Sequence, residues 1–213
     1  MSPKFSLTTL VLLATFALTA CQSGGNVYGY NFDTAKITYQ ISGSSVGTSD
    51  VLIKGEKKLI HNQITQKRLD GQEVKINTIL IQDGEKLYTL DPGSKTGSLV
   101  KQPIYAELIK LSPEQRKQKM ILESIRDNRS PEEQLKEPPK PTKSENIAGQ
   151  TCDLYVSGVL QTCLWQGVPL KGTASLPDYG IQTETIATKV EINPTISDSE
   201  FDVPKDYQIT ELN

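Results

Sequence analysis

The sequence predicts an α+β fold, an antiparallel sheet with its helices segregated in one block. Three observations carry that prediction. Through the first half, strand-like runs are separated by Gly-Glu, Asp-Gly and Asp-Pro-Gly turns at intervals of about ten to twelve residues. Between Pro103 and Leu135 the apolar spacing becomes helical. From Thr151 onward the strand pattern returns.

Taken in order, Ala35 to Ile41 alternates, with Ile37, Tyr39 and Ile41 on one face. Val46 to Lys54 continues as a strand and Gly55-Glu56 turns the chain. Lys57 to Leu69 is mixed but strand-like, and Asp70-Gly71 is a strong hairpin signal. Glu73 to Gln82 is rich in Ile, Val and Thr. Asp83-Gly84 turns again, Glu85 to Leu90 returns, and Asp91-Pro92-Gly93 ends this meander. Pro103 to Leu111 then carries Ile104, Leu108 and Leu111 at helical spacing. Ser112-Pro113-Glu114-Gln115 is a capping box with proline at the first helical position. The helix it opens extends to about Asp127, with Ile121 and Ile125 on one face and Lys and Arg on the other. Ser130-Pro131-Glu132-Glu133 opens a second short helix by the same logic, and Glu137 to Lys143, EPPKPTK, reads as an extended linker. Strands resume at Cys152 to Val156, Leu160 to Trp165, Val168 to Ala174 and Gln182 to Ile192, closed by Asn193-Pro194. The segment Asp198 to Tyr207, with Phe201 and Pro204, is expected to pack back on the sheet.

The start of the chain has a different character. Lys4 is its only charge before a run from Phe5 to Ala20 that has none. That run has 16 residues, five of them Ser or Thr, whereas a membrane span needs about 20 apolar ones. A basic start, a short apolar core and a small-residue end describe a secretory signal peptide over residues 1–20. Its end, Leu18-Thr19-Ala20-Cys21, resembles the bacterial lipobox. The resemblance implies a diacylglyceryl group on the Cys21 thiol and cleavage before it, and two acyl chains anchor a protein stably where one does not. Residues 21–33 then read as a flexible tether and residues 34–213 as a single domain. Gln22 after the cysteine, rather than Asp, resembles outer-membrane-directed lipoproteins, so the expected location is the cell envelope, on the outer membrane facing the periplasm.

Removing 20 of the 213 residues leaves 193, enough for one sizeable domain, and 22 basic against 25 acidic residues, a formal charge of −3. That balance argues against a nucleic-acid partner. With Cys21 assigned to lipidation, Cys152 and Cys163 remain as an even pair in an exported chain. A hairpin turning at Ser157-Gly158 sets Val156 against Val159 and therefore Cys152 against Cys163, a separation that suits a disulfide. A metal site would need more ligands, and the only histidine, His61, is distant in sequence. A redox pair more often has CxxC spacing.

No arrangement of residues points to catalytic chemistry. Any Ser-His-Asp or Cys-His arrangement would have to use His61, which sits in a polar strand-like run and reads as a surface histidine. Gly93 to Ser98, GSKTGS, lacks the order of a phosphate loop and reads as a turn. The carboxylate pairs Asp198/Glu200 and Glu132/Glu133 imply no shared cleft, and Trp165 beside the disulfide reads as core. The chain is therefore expected not to be an enzyme, with no cofactor and no metal.

Several segments are similar to the lipoprotein-carrier superfamily, the LolA/LolB-like fold. In the first half they are Ile37-Thr38-Tyr39, the Gly55-Glu56-Lys57-Lys58 turn and the run Asp83 to Asp91, DGEKLYTLD. In the second half they are Ile147 to Tyr155, IAGQTCDLY, the run Cys163 to Lys171, CLWQGVPLK, and the spacing Asp198-x-x-Phe201-x-x-Pro204. The resemblance implies an open, strongly curved antiparallel half-barrel whose concave face is crossed by helices, here the block from Pro103 to Leu135. It also implies an apolar space between sheet and helices that shelters a lipid or acyl chain. Ile37, Tyr39 and Ile41 from the sheet and Ile121 and Ile125 from the helix are the candidate lining residues. Two functions follow. One is a lipid-anchored module binding a lipid or acylated ligand, in lipid or lipoprotein trafficking. The other is a non-enzymatic sensor or structural lipoprotein working through an envelope protein partner.

Overall fold

The computed structural model describes residues 32–68, 71–125, 133, 139–176 and 180–212. The expectations for the signal peptide, Cys21 and its lipid, and most of the tether fall on residues outside that range. So does the short helix expected from Ser130, save for Glu133.

Alternation in the sequence becomes strands as expected, and more of them. β1 (Thr34–Gly43), β2 (Ser45–Lys54), β3 (Lys57–Lys67), β4 (Glu73–Asp83), β5 (Lys86–Asp91) and β6 (Thr96–Lys101) form one antiparallel meander. α1 (Pro103–Leu108) and α2 (Pro113–Ile125) follow. A second meander comprises β7 (Lys143–Ile147), β8 (Gln150–Ser157), β9 (Leu160–Trp165), β10 (Val168–Leu176) and β11 (Ile181–Ile192). β11 pairs with β1, which joins the two meanders. The last strand, β12 (Gln208–Leu212), runs parallel to β6. The result is one open twelve-stranded sheet in the order β12-β6-β5-β4-β3-β2-β1-β11-β10-β9-β8-β7.

This corrects the expected α+β class. Of the described residues, 62% are strand and 12% helix, and among them no helical block crosses a face of the sheet. The helical spacing did produce α1 and α2, but these have only 6 and 13 residues. Three segments that the sequence reading did not assign to strands are β6, which overlaps the expected turn Gly93 to Ser98, β7, which starts at the last residue of the expected linker, and β12, which follows the segment ending at Tyr207. They are short and rich in Lys, Ser, Thr and Glu, and their pairing comes from the neighbouring strand rather than from an apolar pattern of their own.

The main core draws Ile37 and Tyr39 from β1, Val51 and Ile53 from β2, Ile60 and Leu80 from β3 and β4, and Leu154, Cys163 and Leu170 from β8 to β10. One cluster reaching both meanders requires the sheet to coil around it. Two β-bulges accompany the coiling, at Thr38/Tyr39 against β11 and at Pro169/Lys171 against β9. Gly43 closes the β1–β2 turn with φ +99°, and a Cβ there would lie 2.0 Å from the Gln182 carbonyl oxygen. Only glycine lets that turn sit against β11. Phe32, assigned by sequence to the tether, is a core residue, 4% exposed and stacked on Trp165 at 5.2 Å.

The other face of the first meander is covered by the C-terminal segment, as expected. Ile196 and Phe201 pack with Ile81 and Leu90, against Leu52, Leu59 and Tyr88. A 3₁₀ turn, Asp198–Phe201, sits on β3 and β4. Lys54 and Lys57 hold Asp198 at 3.3 and 3.6 Å, and the Lys54 ammonium also donates to the Ile196 carbonyl at 2.9 Å.

Candidate ligand-binding face

Register alone assembles a continuous face from eight strands. One row runs Ile76, Ile64, Gly47, Ile41, Thr185, Gly172, Thr162, Tyr155, from β4 across to β8. The adjacent row includes Asn62, Ser49, Tyr39 and Ala187, and the row on the other side Thr183 and Ala174. Side chains two apart on a strand share a face, so these rows lie side by side. The residues are mostly small. None of these residues is a carboxylate or an amine.

The face is buried. Ile41 is 3% exposed, and Tyr39, Ser49, Ala174 and Ala187 are buried with it. The Tyr39 hydroxyl donates to the Pro169 carbonyl at 2.9 Å, tying β1 to β10 across β11. Burial pushes the Tyr39 phenol well above its ordinary pKa, so it stays neutral. Burial raises Tyr155 as well, with a smaller contribution from the Asp153 charge. Among the described residues, three buried polar atoms on this face have no hydrogen-bond partner: Asn62 Nδ2, Thr162 Oγ1 and Thr183 Oγ1. Leaving such a group buried and unsatisfied costs about 1–3 kcal/mol.

At the β8–β9 end, α2 meets this face. Ile121 and Ile125 pack on Tyr155 and Leu164. The helix is fixed there by its own chemistry. The capping box forms reciprocally, with the Ser112 N–H donating to Gln115 Oε1 at 3.0 Å and the Gln115 N–H to Ser112 Oγ at 3.4 Å. Arg116 reaches back to the carbonyls at the end of α1, those of Leu108 and Ile109, at 2.8 and 2.9 Å. Lys119 pairs with Glu107 at 2.7 Å, and that hydrogen bond and charge hold the Glu107 carboxyl below its usual pKa. The five residues expected to line a cavity are thus placed in two sets. Ile37 and Tyr39 belong to the main core with Ile41 beside them in register, while Ile121 and Ile125 form a small cluster at the far end of the same face. Sequence reading missed Asn62, Thr162 and Thr183. Their signal was a polar residue at an apolar-phase position of each strand.

The disulfide forms between Cys152 and Cys163, with Cα atoms 5.4 Å apart and both residues buried. The expected hairpin register is corrected. The turn lies one residue later, at Gly158-Val159, because Ser157 pairs with Leu160. Cys163 therefore stands opposite Leu154, and the disulfide is a diagonal bridge rather than one between facing residues. Trp165 is core, as read. His61 bonds Asn77 Oδ1 at 2.8 Å on the opposite face of β3 from Asn62. Asp198 is engaged with its two lysines, and Glu132 lies outside the described residues. The phosphate-loop lookalike is a turn through Lys95, organised by the Asp91 carboxylate accepting from the Gly93 N–H and the Ser94 hydroxyl, both at 2.8 Å. No described helix is long and apolar enough to cross a membrane.

No family model and no curated protein matches the chain. Among solved structures it is similar to an uncharacterized conserved protein from Thermus thermophilus, at 7% identity and a TM-score of 0.50, covering 85% of this chain and 92% of that one. It is also similar to PNGF-II, at 13% identity and a TM-score of 0.44, covering 84% of this chain but 32% of that one. A third likeness is to MucB in the Pseudomonas aeruginosa MucA/MucB complex, at 10% identity and a TM-score of 0.38, covering 84% of this chain and 58% of that one. The first likeness is one of fold alone, and the other two fall below the level that identifies a shared fold.

Proposed function

We propose that this chain is a non-enzymatic, lipid-anchored protein of the cell envelope that holds a lipid or acylated ligand against the buried face of its sheet. Cys21 carries the anchor, and the outer membrane facing the periplasm is its site. The observation that supports ligand binding is the face itself. Its three central rows are mostly buried, span eight strands, and consist of small and apolar side chains with isolated polar groups and no charged residue. Small-molecule sites have this composition: apolar walls with a few placed polar groups. The lipobox resemblance at Leu18 to Cys21 supports the location.

The test is to export the mature chain with Cys21→Ser to a periplasm and record a native mass spectrum. Adducts of lipid mass are expected, and they should be lost when Ile121 and Ile125 become Trp while circular dichroism stays unchanged. A clean ligand-free mass, with no uptake of added phospholipid or acyl-peptide, overturns the reading. The native chain should fractionate with membranes and the Cys21→Ser chain should not.

A second reading, an envelope sensor or structural lipoprotein with a protein partner, draws on the sheet's open edge. β12 ends the sheet and is exposed along its length, with Leu212 50% exposed beside Val100 at 37%. Such an edge can accept an extended strand from a partner.

A further inference from the structure

We propose that β7 is a charge-latched cover over the Cys152–Cys163 disulfide, so that undocking of β7 is what opens the bridge to a dithiol reductant. The register sets four residues of four adjacent strands on one face. Glu145 of β7 stands opposite Cys152 of β8, and Cys163 of β9 stands opposite Lys171 of β10. The disulfide joins the middle two. The outer two meet as an ion pair, with Lys171 Nζ 3.4 Å from Glu145 Oε2. To meet, their side chains must cross β8 and β9 on the face that carries the disulfide. Tyr155 and Thr162 point to the opposite face, so the latch lies apart from the candidate ligand-binding face. The cysteines are 1% and 0% exposed, while the Glu145 and Lys171 side chains are 20% and 23% exposed. The charged pair is the outer layer and the bridge the inner one.

The curl of the second meander makes this reach possible. Cα atoms of β7 come within 8 Å of β11, which a flat sheet would hold about 19 Å away. The bulge at Pro169/Lys171 falls at the lysine itself, and bulges re-aim side chains. Glu145 is also paired with Lys143 at 2.9 Å, and Lys171 with Glu184 at 3.8 Å, so charges link β7 to β10 and β11. β7 is the strand that needs such a tie. It ends the sheet, has five residues, and is exposed at Lys143, Ser144 and Asn146. Its turn into β8 holds Ala148 at φ +50°, a conformation that favours glycine. A short edge strand of this kind opens locally at less cost than the core. Reduction requires that opening. One thiolate of the reductant attacks a cysteine sulfur, the S–S bond breaks, and the other cysteine leaves as a thiolate. The second thiolate of the reductant then attacks the mixed disulfide, frees the first cysteine and closes the reductant as its own disulfide.

The experiment uses the full chain carrying Cys21→Ser, in which Cys152 and Cys163 are the only cysteines. The oxidised protein is exported to a periplasm, purified and incubated with excess dithiothreitol under native conditions. Samples are quenched with iodoacetamide, and reduction is read as the mass of two added groups. Lys171→Met is the decisive variant, because it removes the latch and leaves the Glu145 charge, which repels an attacking thiolate. It is expected to be reduced about fivefold faster than the unsubstituted chain, the scale of a partly exposed ion pair. Glu145→Gln should show at least the same rise, and Lys171→Arg, which keeps the charge, should stay slow. Hydrogen exchange should accelerate in β7 and remain unchanged in β1 to β4. An unchanged or slower rate in Lys171→Met overturns the proposal even if Glu145→Gln is faster, because charge repulsion alone would then protect the bridge. Fast reduction of Lys171→Arg also overturns it. Faster exchange throughout β1 to β4 does so too, since the bridge would then be reached by global unfolding.

Discussion

The two meanders of the sheet are built alike and held differently. From β1 to β6 the ladders run without a bulge, and the outer strands β5 and β6 are only partly buried. They are covered by a strap: Ile196, Phe201 and Tyr207 on one face, then β12 paired at the edge. From β7 to β11 a bulge interrupts the ladder, and a buried disulfide bridges β8 to β9. The comparison teaches that a wide sheet needs its outer strands secured, and that this chain uses sequence-distant apolar packing on one side and a covalent bridge on the other.

The largest expected effect tests the strap. Phe201→Ala removes a residue 4% exposed from a small cluster and should cost about 3–5 kcal/mol. Hydrogen exchange should accelerate in β4 to β6 and β12 and stay unchanged in β8 and β9. Uniform acceleration would mean that the two meanders unfold as one unit and that the comparison has no energetic content. Next comes the bridge. Cys152→Ala with Cys163→Ala should cost about 2–4 kcal/mol, the usual scale for a short closed loop, read as a lower urea midpoint. Its exchange signature should be the converse, concentrated in β8 and β9.

The smallest effect sharpens the strap's electrostatics. Hydrogen bonding from Lys54, then its charge, then Lys57, hold the Asp198 carboxyl below the usual carboxylate range. A depressed carboxylate contributes stability that is fully present above the unfolded value and lost as pH falls through the folded one. Urea midpoints of wild type and Asp198→Asn should therefore differ at pH 7 and converge once pH has fallen below the ordinary carboxylate range and through the depressed folded value. A gap that persists at low pH would show that Asp198 acts through backbone geometry of the 3₁₀ turn rather than through charge.

Much of the fold was legible because the decisive signals were local. Gly55, Gly84 and the alternation of Ile37, Tyr39 and Ile41 marked β1 to β5, and Ser112 and Gln115 marked the start of α2. What failed was non-local. TGSLVK, KSENI and QITEL have no apolar alternation strong enough to declare a strand, and they become β6, β7 and β12 because a neighbour presents unpaired backbone groups. The hairpin register slipped because Gly158 fits either a Ser157-Gly158 or a Gly158-Val159 turn, and side-chain pattern alone did not choose.

By itself, the sequence determined the turns of the first meander, the phase of β1, the capping box and the pairing of Cys152 with Cys163, because each depends on residues close in the chain. Tertiary structure alone decided that the sheet is open with twelve strands, that β12 crosses back to pair in parallel, and that Asn62, Thr162 and Thr183 share one buried face. The physical reason is that backbone pairing between distant segments, and the burial of a single polar side chain, depend on what lies across the sheet, which no local pattern encodes.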